Sequence, residues 1–328
     1  MIPTSQFALG GSLFGWTLDL ESSFELLDYY YFDLGQKILD TADSYSQWKP
    51  GNVGGESETI IGQWLQSRKV PRDQIFLATK IGRKLDRQGY GKDTLRTALL
   101  ESLQRLKVES VDMLYLHNAI EVYSTSSIIE ALSSFRSEGL IDNIGLSNAP
   151  KSLIQTVSDG LNSSFGKTIA SIQNHYNLIE RDSSILPFDE YSKRTNFSMA
   201  TEVLPWLRQN GVYSFPYHSL CRGILTNRFA SELKVSENSI HFERTTKYLH
   251  PTVFELVQVL KSVAKKHQTS ISVVSLSWMR KEYKNTIPII SCNSLDQMLE
   301  AFGNVELDEV DFESLDILRY QNKSNLEN

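Results

Sequence analysis

Cysteine is scarce in this chain of 328 residues: only Cys221 and Cys292 occur. Two cysteines make no disulfide framework, so the fold must rest on a hydrophobic core, and a reducing, cytoplasmic setting is the expectation. Long apolar runs are missing as well. No stretch approaches the roughly 18 apolar residues of a membrane span, and Met1-Ile2-Pro3-Thr4-Ser5 lacks the basic flank and apolar centre of a secretory signal. Positive charge is not in excess. Lys plus Arg number 33 against 39 Asp plus Glu, a formal net charge of -6, which makes the chain a poor partner for a phosphate backbone. No membrane and no nucleic-acid partner is expected. Metal-ligand spacing such as H-x-H is absent around His117, His175 and His218, so no metal is expected.

What the chain does contain is ordinary core material, 41% hydrophobic residues with 22% charged. Short apolar runs alternate with longer amphipathic ones. Strand-like runs occur near Phe7–Phe14 and at Lys37–Asp40, Ile75–Lys80, Met113–His117, Ile144–Ser147, Ser171–Asn174, Val212–Tyr217 and Thr286–Ser291. Continuous apolar runs of this length suit strands buried on both faces. Helical periodicity runs through Glu56–Gln66 (Ile60, Ile61, Trp64, Leu65), Thr94–Leu106 (Leu95, Leu99, Leu103) and Ser127–Glu138. Asp93 and Ser152 are candidate N-caps. Later helices are expected at Glu202–Gln209, Pro251–His267, Ser270–Glu282 and Ser294–Phe302.

Eight strands alternating with helices predict an α/β fold, a (β/α)8 TIM barrel with extra C-terminal helices and long mouth loops, as a single domain over 1–328 with a frayed tail at 318–328. A doubly wound sheet is the alternative. The glycines of Gly10-Gly11-Ser12-Leu13-Phe14-Gly15 do not have the G-x-G-x-x-G spacing that usually marks it.

The polar residues lie where the apolar runs stop: Asp40, Lys80, His117, Ser147-Asn148, Gln173-Asn174 and Tyr217. Singly, each has a plain structural reading as a turn cap, a solvated lysine or a satisfied core histidine. In a barrel, however, all these ends open on the face that carries active sites. Tyr45 follows Asp40 by five residues. A phenol is a weak acid, and a nearby ammonium makes it a stronger one. A carboxylate keeps that ammonium charged, and a histidine orients the substrate oxygen or passes a proton. Asp40, Tyr45, Lys80 and His117 thus compose a tuned phenolic acid. Such an acid protonates an oxygen while hydride arrives at its carbon, and only a cofactor supplies hydride. A Schiff-base lyase on Lys80 is the competing barrel chemistry.

These residues resemble the aldo-keto reductase superfamily. Asp40-Thr41-Ala42-Asp43-Ser44-Tyr45 is similar to its D-T-A-x-x-Y signature, and Gly55-Glu56-Ser57-Glu58 to the G-x-S-E opening the next helix. Leu77–Lys80, Asp112–His117, Ile144–Asn148, Gln173–Leu178 and Gly223–Phe229 follow in the family's order, from about Phe7 to about Leu307. The resemblance implies an NAD(P)-dependent enzyme reducing an aldehyde or ketone, with NADP the general preference and NAD possible. Tyr45 is then the general acid, Lys80 and Asp40 tune it, and His117 orients the substrate. Ser147, Asn148 and Gln173 resemble the residues that bond the nicotinamide carboxamide, and Tyr217 the ring that stacks on it. Ser219, Leu220, Gly223 and Arg228 fall in the segment that follows the cofactor pyrophosphate, and Gly11 is a further cofactor-binding candidate. Ser291, Asn293 and Gln297 fall near the adenosine. A regulatory role like that of potassium-channel β subunits, with little turnover, is the alternative the same resemblance allows.

Departures also stand out. No basic residue occurs between Asn285 and Glu300, where many relatives grip a 2′-phosphate. Asn227 replaces a common glycine, a change tolerated if its φ is positive. Ser183–Ser198 resembles an insertion. Trp16, Trp48, Asn118 and His218, with Tyr90 and Tyr123, are the candidate substrate walls.

Overall fold

The computed structural model describes residues 2–119, 124–166, 168–179, 197–237 and 242–316. Tyr123, most of the 183–198 segment and the 318–328 tail lie outside them. The chain forms two compact units, Met1–Gln173 with Ser291–Leu295, and Asn174–Ile290 with Asp296–Asn328.

In the first unit six strands form a parallel ladder in the order β1 (Ala8–Gly10), β2 (Ile38–Asp40), β3 (Phe76–Ile81), β6 (Val111–Leu116), β7 (Ile141–Ser147), β8 (Ser171–Gln173). A small antiparallel hairpin, β4 (Arg83–Lys84) with β5 (Arg87–Gln88), follows β3. Parallel neighbours need a crossover. Helices supply it: α1 (Leu20–Asp28), α2 (Glu56–Ser67), α3 (Lys92–Leu106), α4 (Thr125–Ser137) and α5 (Lys151–Phe165). β1, β2, β3 and β8 are buried at every residue, as the uninterrupted apolar runs require. The register sets Asp40 beside Ala78, Lys80 beside Tyr115 and Ser147 beside Gln173.

α2 buries Ile60, Ile61, Gly62, Trp64 and Leu65. Each large apolar side chain removed from water contributes about 1.5–3 kcal/mol. Gly62 lets α2 lie against α3, since a Cβ there would stand 2.2 Å from the carbonyl oxygen of Arg105. α3 starts one residue before Asp93, after Gly91, and α5 one residue before Ser152, after Pro150. Both candidate caps therefore sit in the first turn, where Asp93 still favours the helix dipole. α1 carries a cap that sequence reading passed over: the Asp19 carboxylate accepts from the Ser22 amide at 2.9 Å.

The second unit holds β9 (Tyr213–Ser214) and β10 (Ile289–Ile290), with Ser214 bridged to Thr286 in parallel sense. The expected strand Val212–Tyr217 keeps only two ladder residues. Pro216 has no amide to donate, and its carbonyl instead accepts from Ile289. Helices α6 (Leu204–Asn210), α7 (Asn227–Glu232), α8 (Phe242–Thr245), α9 (Pro251–Lys266), α10 (Ile271–Glu282) and α11 (Leu295–Ala301) complete the order. Residues 309–316 are helical. Asp311 ties them down by accepting from Lys266 at 2.9 Å and pairing with His267 at 2.6 Å. Among the described residues no helix is long and apolar enough to cross a membrane.

Candidate active site

The ends of the first unit's strands carry the polar groups. Asp40 closes β2, Lys80 lies near the end of β3, His117 follows β6, Ser147 closes β7 and Gln173 closes β8. Asp40 is the hub. Its Oδ2 accepts from Lys80 Nζ at 2.6 Å and from the Tyr45 hydroxyl at 3.4 Å, and its Oδ1 accepts from Gln173 Nε2 at 2.8 Å. Lys80 also donates to the Thr41 carbonyl at 2.8 Å. Both members of the ion pair are 1% exposed, a burial that only mutual pairing and added hydrogen bonds can offset.

Tyr45 lies on the loop after β2 and is half-buried. The Lys80 ammonium stands 4.8 Å from its ring centroid. Burial draws the Lys80 ammonium below the usual lysine range, and Asp40 leads the carboxylates that oppose it. His117 approaches Tyr45 edge-on, ring centroids 5.8 Å apart at 77°, and its Nδ1 shares a hydrogen bond with Ser44 Oγ at 3.1 Å. Burial first, then the cations of Lys80 and Arg83, hold the imidazole well below its ordinary 6.5. It is therefore a neutral ring near pH 7, better suited to orienting than to giving up a proton.

Beyond the strand ends, Asn148 has a left-handed backbone, φ 56°. Its amide donates to the His117 carbonyl and to Ser147 Oγ, each at 3.0 Å. A carboxamide presents a carbonyl acceptor and an NH2 group with two donors. The hydroxyl of Ser147 and the side-chain amides of Asn148 and Gln173, at neighbouring strand ends, have the chemistry to meet both.

On the other side of Tyr45 lie the tryptophans. The Trp48 ring is 6.2 Å from Tyr45, and Trp16 packs edge-on against Trp48 at 5.4 Å. Trp48 remains 46% exposed. Asn118 is buried, with its main-chain amide and carbonyl held by the Tyr90 hydroxyl at 3.1 and 2.8 Å. Gly11 has a packing role: a Cβ there would meet Ser57 Oγ at 2.5 Å and the Asp40 carbonyl at 3.5 Å. Ser291 bonds Ser12, and Asn293 accepts from Thr17 at 2.7 Å.

The remaining sequence candidates lie in the second unit. Tyr217 and His218 are edge-on neighbours at 5.0 Å, and His175 stands 5.4 Å from Tyr217. Ser219 donates to the Pro216 carbonyl at 2.8 Å. His218, Cys221, Arg222 and Gly223 all have positive φ, a tightly wound segment at which Leu220 also lies. Arg228 is 66% exposed and faces Glu232 at 3.6 Å, and Gln297 is exposed. Asn227 has an ordinary helical backbone as the first residue of α7. Its side chain accepts from the Ile271 amide at 3.0 Å, so conformational freedom is not what the position needs.

Sequence reading missed a layer beneath this site. Glu58, at the start of α2, is fully buried. It accepts from Thr79 at 2.5 Å and from Arg105 Nε at 2.7 Å, while Arg105 lies over Gly55. The signal was there: Glu58 shares a helical face with Ile61 and Leu65, and a charge on an apolar face needs a buried partner. Ser44 and Asp43 were likewise passed over.

The model of the Aldo/keto reductase family matches residues 6–319. The chain belongs to the aldo/keto reductase family. This aldo/keto reductase is 26% identical over 297 residues to the probable aryl-alcohol dehydrogenase AAD4 of Saccharomyces cerevisiae, covering 86% of the chain and 82% of the relative. It is 25% identical over 320 residues to versiconal hemiacetal acetate reductase of Aspergillus parasiticus, covering 89% and 84%. To aldo-keto reductase dtxS3 of Metarhizium robertsii it is 27% identical over 322 residues, covering 88% and 78%. Membership, with relatives so named, makes it an oxidoreductase of carbonyl and alcohol groups. Among the described residues of this aldo/keto reductase, no group of three or more His, Cys, Asp or Glu could hold a metal ion.

Proposed function

We propose that the protein reduces an aldehyde or ketone to an alcohol, with NADPH, or NADH in its place, as hydride donor and Tyr45 as the general acid. The observation that carries this reading is the chain of contacts from Asp40 through Lys80 to Tyr45, at 2.6 and 4.8 Å. When bound, a dihydronicotinamide supplies hydride to the carbonyl carbon. Tyr45 gives its phenolic proton to the carbonyl oxygen. The Lys80 ammonium stabilises the phenolate left behind, and Asp40 holds that ammonium in place. In this reading neutral His117 carries its proton on Nε2, with Nδ1 accepting across its 3.1 Å contact with Ser44 Oγ, and offers that proton to the substrate oxygen as a hydrogen bond.

Ser147, Asn148 and Gln173 hold the carboxamide in this reading, and Tyr217 with the 219–228 segment the ring and phosphates. A single (β/α)8 barrel is the fold it takes in this reading, supported by the family match over residues 6–319 and by the parallel ladder of the first unit. Trp16 and Trp48 beside Tyr45 favour a flat, aromatic carbonyl, in keeping with the relatives named as aryl-alcohol dehydrogenases. Two buried free cysteines support a reducing, cytoplasmic setting.

Purified protein mixed with NADPH or NADH and a panel of aldehydes, diketones and keto sugars tests this. We expect dinucleotide oxidation with aromatic aldehydes that drops on the order of 100-fold or more in Tyr45→Phe. Equal rates in both proteins would refute Tyr45 as the acid, and no oxidation with any substrate would refute the reaction.

A further inference from the structure

Three carboxyls, Asp40, Asp43 and Glu58, and two basic groups, Lys80 and Arg105, act on one another beneath Tyr45. Asp40, Asp43, Glu58 and Lys80 are almost wholly buried. Three acids against two bases leave one negative charge in excess in a region that disfavours it. The other four are in strong pairs, Lys80 with Asp40 and Arg105 with Glu58. Asp43 is the remaining member. Its Oδ2 accepts from the Gly82 amide at 3.2 Å, and its Oδ1 is buried with no hydrogen-bond partner among the described residues. Its own amide donates to the Lys80 carbonyl at 2.9 Å. Asp43 thus grips both sides of Ile81 and belongs to the frame that positions Lys80.

We propose, on the footing of the reading above, that Asp43 is a positioning residue that holds a proton beneath the Tyr45–Lys80 pair and sets, by releasing it, how acidic the Tyr45 phenol is. Protonated, it leaves the Lys80 ammonium answered by Asp40 and, more weakly, Glu58, and the cation's field on the phenol is largest. Ionised, it adds a third carboxylate, weakens that field and makes the phenol a poorer acid. The charged and titratable groups around it are Asp40 at the end of β2, Tyr45 on its own loop, Glu58 of α2, Lys80 of β3, Arg83 and Lys84 of β4, Arg105 of α3, and His117 beyond Ser44. Burial, then Glu58, pushes the Asp43 carboxyl up to about 7, so the switch falls in the working range.

The test reads Tyr45 directly and needs neither hydride donor nor carbonyl. Tyrosinate absorbance is titrated for wild type, Asp43→Asn and Asp43→Ser, each against the same chain carrying Tyr45→Phe, so that the difference reports Tyr45. The expected result is a Tyr45 midpoint shifted to lower pH in both Asp43 variants, since each removes a negative charge. Infrared difference spectra of the wild type should show a protonated carboxyl band lost as pH rises through about 7, and Asp43→Asn should lack it. In the reduction assay the decline of kcat across that pH should be absent in Asp43→Asn. An unmoved Tyr45 midpoint, or no carboxyl band, overturns the inference even if the protein reduces carbonyls. A moved midpoint in a protein that reduces none upholds it while the reaction fails.

Discussion

Lys80 is the residue on which most depends. It is a buried cation whose partner is equally buried. Removing one partner of such a pair leaves the other charged and unanswered, at a cost of about 3–5 kcal/mol. Lys80→Met should therefore lower stability by roughly that amount in denaturant unfolding. Adding Asp40→Asn to it should recover part of the loss. A Lys80→Met chain as stable as wild type would show that the pair is not what holds the two strand ends together. His117 makes a second prediction, with a sign. An unfolded histidine titrates near 6.5, and the buried ring well below it. Between those values the unfolded chain binds the extra proton, so stability is full above about pH 6.5 and is lost as pH falls toward the folded value. His117→Gln should remove that part of the acid-side slope in melts across pH 4–8, while Asp43→Asn should remove a slope of opposite sign, because a raised carboxyl costs stability as pH rises toward about 7.

At the scale of elements, the close approach of α2 and α3 depends on a missing side chain. Alanine at Gly62 would gain helix propensity of about 1 kcal/mol. Its Cβ would also stand 2.2 Å from one backbone atom and 2.7 Å from the next. Backbone cannot swing aside as a side chain can, and overpacking costs typically 1–3 kcal/mol. Gly62→Ala should therefore lower the thermal midpoint, and a raised one would mean the helices separate freely. The same element shows where sequence reading succeeds and stops. Ile60, Ile61, Trp64 and Leu65 announced the buried face of α2 because periodicity is a local property. The strand ends were legible for a similar reason: Asp40, Lys80 and His117 each break an apolar run. α1 was not anticipated, although Asp19 caps it, and the strand at 212–217 was drawn too long: its ladder covers Tyr213–Ser214, with an isolated bridge at Tyr217. Glu58 with Arg105 escaped notice because its partner lies 47 residues away, and no local pattern names a partner at that distance.

For the whole molecule, the family model spans residues 6–319. On the proposed function, a dinucleotide that binds the folded chain alone should stabilise it by mass action. The gain is about 2.7 kcal/mol at a concentration one hundred times Kd. Thermal midpoints with NADPH and with NADH, against adenosine as control, measure it, and an unchanged midpoint with both would count against dinucleotide binding. Gln173 donates to the same carboxylate that holds the lysine, yet it also stands among the groups proposed to take the carboxamide. A single amide then serves two masters. Swapping it to retune the coenzyme would disturb the acid, and protein engineers seeking a new coenzyme specificity would do better to start at the exposed Asn293 and Gln297, far along the chain from that bond.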